Sequence, residues 1–62
     1  MKFTVKQARA YSGLTQGEMA EKLGVSRATY MQIERDSSRA TVKQINEIGK
    51  ITGIPVRDII LP

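Results

Sequence analysis

Cysteine and histidine are both absent from the 62-residue chain, and each absence removes a class of chemistry. Without cysteine no disulfide can staple the fold, and without either residue the usual ligands of a structural zinc ion are missing. The same absences remove the thiol nucleophile and the imidazole base. No glycine-rich phosphate loop is present. Glu18 and Glu21, three residues apart, read more simply as a solvated pair on a helix face than as a catalytic one. The sequence therefore gives no reason to expect an enzyme, a metal, a cofactor or a small-molecule substrate. No apolar run approaches the roughly 20 residues of a membrane span or has the form of a signal peptide, so a soluble cytoplasmic protein with no membrane partner is expected. Acidic residues are scarce, six against ten basic, for a formal net charge of +4. Such a balance favours a polyanionic partner without proving one. A chain this short is near the lower limit for an unaided hydrophobic core, so stability has to come from compact helix packing.

Capping signals are plentiful. Thr4 with Gln7, Thr15 with Glu18 and Thr41 with Gln44 each have capping-box spacing, in which two side chains reciprocally satisfy free backbone donors at a helix start. The spacing predicts helices at about 4–11, 16–23, 27–35 and 42–52, with a fifth, short helix after Pro55. Gly24 and Gly53 follow the last periodic residues of the second and fourth helices, where a left-handed backbone is cheap only for glycine. Val42, Ile45, Ile48 and Ile51 or Thr52 recur at helical spacing, and Ile54, Val56, Ile59 and Ile60 supply a lid for the core. Leu61 is left open between closing the core and pairing two subunits. No strand alternation, repeat, linker or low-complexity tract appears, so an all-α single domain over residues 1–62 is expected.

From Gln16 to Arg35 the residues fall where two helices crossing at a tight turn need them, the pattern of a helix-turn-helix whose second helix enters the DNA major groove. Met19, Ala20 and Leu23 give the first helix an apolar face, Gly24 and Val25 make the turn, and Ser26 can cap the second helix. Tyr30 and Ile33 face inward there, while Arg27, Ala28, Thr29, Met31, Gln32 and Arg35 face outward. Arg27, Arg35, Arg39 and Lys43 gather basic charge around that helix. Arg can bridge both acceptors of guanine, Gln can pair with the donor and acceptor of adenine, and Ala28 offers a methyl contact. Thr29 can cap, pack or touch a phosphate; Met31 can meet a thymine methyl or remain an adaptable surface residue.

The segment LTQGEMAEKLGVSRATYMQIER, residues 14–35, resembles the helix-turn-helix of the Cro and repressor family of phage and bacterial regulators, also called the xenobiotic-response-element family. Thr41, Val42, Ile45, Ile48, Gly53, Ile54, Asp58 and Ile59 extend the similarity over nearly the whole chain. The resemblance implies a compact five-helix bundle of the lambda-repressor-like DNA-binding type. Its partner would be double-stranded operator DNA, bound commonly as a homodimer on two half-sites and without a cofactor. It further implies that the chain is a sequence-specific transcriptional regulator of the phage or prophage repressor or Cro kind. Arg27, Ala28 and Gln32 would face bases; Gln16, with Thr29, Arg35, Arg39 and Lys43 around it, would hold phosphates. Arg9 and Glu34 match positions of a partly buried ion pair that ties helices together. Against the family pattern, Asp36 stands where a Gly often ends the third helix, which leaves the backbone there less left-handed or mildly strained. Ala40 replaces a frequent Pro, and Tyr30 replaces an aliphatic residue. Gly17 and Gly49 lie inside helices, at a cost of roughly 1 kcal/mol each relative to Ala, and point to close approach, by DNA at Gly17 and by a neighbouring helix at Gly49. The alternative is a protein-interaction module, such as an antitoxin-like partner, built on the same fold.

Overall fold

A computed structural model describes residues 2–59. Four α-helices follow one another, α1 Val5–Tyr11, α2 Gln16–Leu23, α3 Arg27–Arg35 and α4 Val42–Thr52, with single 3-10 turns at Ser37–Arg39 and Val56–Asp58. Each helix begins at a hydroxyl. Thr4, Thr15 and Thr41 are N-caps that accept from the backbone N–H three residues on, and Gln7, Glu18 and Gln44 accept from the cap N–H in return, completing all three boxes. Gly24 at φ +73° and Gly53 at φ +75° end α2 and α4 in the left-handed region, which a Cβ would penalise.

Helix α1 packs on α3 and α4, and α2 also packs on both. Their facing residues make a core of Val5, Ala8, Met19, Ala20, Tyr30, Ile33, Ile45 and Ile48, closed by Ile54 and Ile59. Thr52 is the one polar residue buried as a whole among the described residues, and its hydroxyl is satisfied, donating to Ile48 O at 2.7 Å and accepting from Ile54 N at 3.3 Å. Ile51 is half-buried against the same core.

The structure departs from the sequence reading in four places. The fifth helix is only the 3-10 turn Val56–Asp58, because Ile59 runs extended (φ −92°, ψ 123°) and bridges Phe3 in parallel, with Phe3 N donating to Asp58 O at 2.7 Å. That bridge buries Ile59, which a longer helix would turn elsewhere. Val42 is 79% exposed rather than in the core, since as the first residue of α4 it lies beyond the reach of the neighbouring helices. Thr4 caps α1 and is not part of it. At Asp36 the first of the two expected alternatives holds, since its backbone is extended at φ −148° and not left-handed. The close neighbour of Gly49 is not a helix but the segment after α4, where an added Cβ would meet Ile54 O at 3.1 Å and Val56 Cγ2 at 3.2 Å. Ile60 and Leu61 lie outside the described residues.

The two helical glycines differ in a measurable way. At Gly17 an added Cβ would meet nothing nearer than Thr15 Oγ1 at 3.9 Å, so Gly17→Ala is expected to raise stability by about 0.5–1 kcal/mol through helix propensity. At Gly49 the same gain is offset by overpacking of about 1–3 kcal/mol. Gly49→Ala is therefore expected to lower the midpoint of denaturant unfolding while Gly17→Ala raises it. Equal gains would show that the 54–56 segment yields freely.

Candidate nucleic-acid interface

The turn between α2 and α3 is closed by backbone bonds. Val25 N donates to Ala20 O and Gly24 N to Glu21 O, each at 3.1 Å, the paired bonds of a Schellman motif that satisfy carbonyls left free at the end of α2. Ser26 then caps α3, accepting from Thr29 N at 3.1 Å and donating to Thr29 Oγ1 at 2.9 Å. The Thr29 hydroxyl is thus engaged in the cap, while the residue as a whole remains exposed.

Tyr30 and Ile33 bury one side of α3. At about 100° per residue, Arg27, Met31, Arg35, Ala28 and Gln32 then fall within an arc of roughly 140° on the opposite side, and all five are exposed. This arc carries guanidinium, carboxamide and methyl groups and no acid. Among the described residues Arg27, Arg35 and Lys43 have no ion-pair partner. Arg39 sits 4.0 Å from Asp36 Oδ2 in an exposed pair, worth under about 1 kcal/mol. Gln32, Arg35, Asp36 and Arg39 line one shallow groove at the end of α3. Lys43 is exposed in the first turn of α4, the helix that follows the loop beyond Arg39.

Asp36 organises that loop. Its Oδ1 accepts from Ser38 N at 3.2 Å and from Ser38 Oγ at 2.6 Å, an Asx turn that starts the Ser37–Arg39 turn and holds the carboxyl below its ordinary range, chiefly through the Ser38 hydroxyl. The sequence reading did not foresee this turn, although Asp followed two residues later by Ser carries the signal for it.

Behind the exposed arc lies a charged cluster joining three helices. Arg9 of α1 donates from Nε to Glu34 Oε2 at 2.5 Å and from Nη1 to Leu14 O at 2.9 Å. Gln16 of α2 donates from Nε2 to the other Glu34 oxygen at 3.0 Å, so the residue expected at a phosphate is anchored to the scaffold by its amide. The Arg9 and Glu34 side chains are 15% and 6% exposed. Burial raises the Glu34 carboxyl, but its hydrogen bonds, Arg9 foremost, outweigh burial and hold it below the ordinary carboxylate range. Glu34 in turn pushes the Arg9 guanidinium higher against the opposing effect of burial. Tyr30 Oη is enclosed beside these groups without a hydrogen bond of acceptable geometry, and burial first, then the Glu34 carboxylate, push its phenol well above the usual range.

Among the described residues no group of three or more His, Cys, Asp or Glu is placed to hold a metal ion, and no helix is long and apolar enough to cross a membrane. The geometry offers instead a capped, rigidly seated helix with a bare polar arc. A family model described as helix-turn-helix matches residues 5–59. The chain belongs to the Cro/repressor-type helix-turn-helix family. A relative of this helix-turn-helix protein in Methanocaldococcus jannaschii is named an uncharacterized HTH-type transcriptional regulator. The two are 39% identical over 61 residues, covering 98% of this chain and 92% of the relative. No solved structure matches the chain significantly.

Removing one partner of a buried ion pair costs about 3–5 kcal/mol, so Glu34→Gln, which keeps an acceptor for Arg9, is expected to cost about 3 kcal/mol in denaturant unfolding. A loss under about 1 kcal/mol would mark the pair as energetically exposed. The folded Glu34 carboxyl titrates below its unfolded value of about 4.5. Its stabilisation is therefore complete above that range and fades as pH falls through the folded value. The unfolding temperature is expected to fall below about pH 4.5 in the native protein and less steeply in Glu34→Gln. For Tyr30→Phe, deletion of an unpaired buried hydroxyl is expected to leave stability unchanged or raise it by up to about 1 kcal/mol. A loss of more than that would reveal a bond to Glu34 in solution.

Proposed function

We propose that this helix-turn-helix protein is a sequence-specific DNA-binding transcriptional regulator, of the repressor or Cro kind, that reads operator DNA with α3. The observation that carries this reading is the acid-free exposed arc of α3, set opposite a face locked into the core by Tyr30 and Ile33. Helix α3 has nine residues, hence a length of about 14 Å at about 1.5 Å per residue, and suits a major groove about 12 Å wide. Arg27 and Gln32 carry the groups for guanine and adenine edges, and Ala28 the methyl for a thymine. Gln16, Thr29, Arg35, Arg39 and Lys43 are assigned to phosphates, which fix register and orientation.

A homodimer on DNA completes the proposal. The molecule measures 28 × 23 × 18 Å, so two copies fit side by side on half-sites about 34 Å apart. The exposed Val42 and the apolar groove that it lines with Ala40, Ile45 and Val56 offer a surface for the contact. The same groove is the observation that favours the rival, a protein-interaction module that does not read DNA.

Selection of bound duplexes from a random library, then titration of the winner against a scrambled duplex at two salt concentrations, separates the two. Expected is a palindromic winner preferred by about 10³-fold or more. Arg27→Ala and Gln32→Ala should each relax one base position at a cost of about 1–3 kcal/mol, whereas Lys43→Ala should weaken all duplexes alike and reduce the salt slope by about 1. Weak, unselective binding that disappears with salt would leave only the electrostatic attraction of a basic protein and move the rival ahead.

A further inference from the structure

The Glu34 carboxylate does more than close the Arg9 pair, because its second oxygen reaches the proposed DNA-facing edge through Gln16 Nε2. A carboxylate only accepts. The nitrogen of the Gln16 carboxamide, and not its oxygen, is therefore the end turned inward. One of the two N–H donors is committed to Glu34, and the other remains for the outer side together with the carbonyl. Gln16, the first residue of α2, is half-buried, so part of its side chain stays at the surface. An unrestrained glutamine would lose several rotamers on meeting a ligand, and a pre-set one loses few. Arg9 completes the device by neutralising Glu34, since a bare carboxylate at this distance would repel a phosphate.

We propose that Glu34 is a positioning residue for the DNA-backbone contact of Gln16, holding its carboxamide so that the free N–H is presented to a phosphate oxygen before DNA arrives. The inference rests on the assignment of Gln16 to a phosphate under the proposed function. Chemistry also says what Glu34→Gln would do. Arg9 only donates, so the new carbonyl would turn to it; the new amino group would face Gln16, which would then have to present its oxygen inward and alter its outer edge.

Two measurements test this. In the wild-type protein, free of DNA, ¹⁵N relaxation of side-chain amides should give Gln16 an order parameter near the rigid value of about 0.85. Gln32, exposed and without a side-chain hydrogen bond among the described residues, should lie below about 0.6. On the duplex selected by the wild-type protein, Gln16→Ala should weaken binding by roughly tenfold per half-site, but by no more than about twofold in a Glu34→Gln background. Replacing the contacted phosphate by a neutral methylphosphonate should abolish the difference between Glu34→Gln and wild type, which a general loss of stability would not do. A wild-type protein that selects its duplex while Gln16 is as mobile as Gln32, or while the two losses simply multiply, overturns the positioning role and leaves DNA reading intact. Failure of the wild-type protein to select any duplex overturns both. Should Glu34→Gln fail to fold, the relaxation of the wild-type Gln16 amide decides alone.

Discussion

A single carboxylate fixes how the first three helices of this protein meet. Glu34 is nearly enclosed, and a charge in that position is tolerated only with its oxygens satisfied. One oxygen is met from α1 by Arg9 and the other from α2 by Gln16. Rotating α3 about its own axis would break both contacts together, and it would also withdraw Tyr30 and Ile33 from the core. The orientation of the exposed arc is thus a consequence of what the buried side must satisfy. Hydrophobic contact alone is non-directional and would permit some rotation of α3. The polar cluster removes that freedom.

The remaining stability is supplied locally. Without disulfide or metal, the chain relies on helix ends that each carry their own cap, and on loops short enough that α2 and α3 are separated by only Gly24, Val25 and Ser26. Each N-cap contributes about 1 kcal/mol, a substantial fraction for a domain with few residues to bury. Asp36 extends the same principle past the end of α3. It releases the helix in an extended conformation and immediately nucleates the next turn through Ser38, so a position that lacks the expected glycine is ordered by side-chain hydrogen bonding instead.

How much was legible in the sequence follows from the range of each interaction. Capping boxes are three-residue events, and all three at Thr4, Thr15 and Thr41 form as their spacing predicts. The helix-ending glycines and the inward Tyr30 are equally local or periodic. The short last turn was not legible, because it depends on Phe3 pairing with a segment over fifty residues away. Val42 has the helical phase of a core residue but sits at the tip of α4, where phase no longer guarantees a neighbour. In the candidate site the exposure of Arg27, Gln32 and Arg35 could be read from periodicity. The bond between Gln16 and Glu34 could not, because eighteen positions separate residues whose proximity exists only once α2 and α3 have packed. Which bases the arc meets depends on a partner that periodicity does not describe.

The bridge between Phe3 and Ile59 also determines how the bundle would bear a mechanical load. The side chain of Lys2 bonds the carbonyl of Arg57, and Phe3 N bonds the carbonyl of Asp58, so the two segments run side by side in the same direction. Opposed forces applied through Phe3 and Ile59 would therefore load these bonds in shear, all together, before any force reached α3.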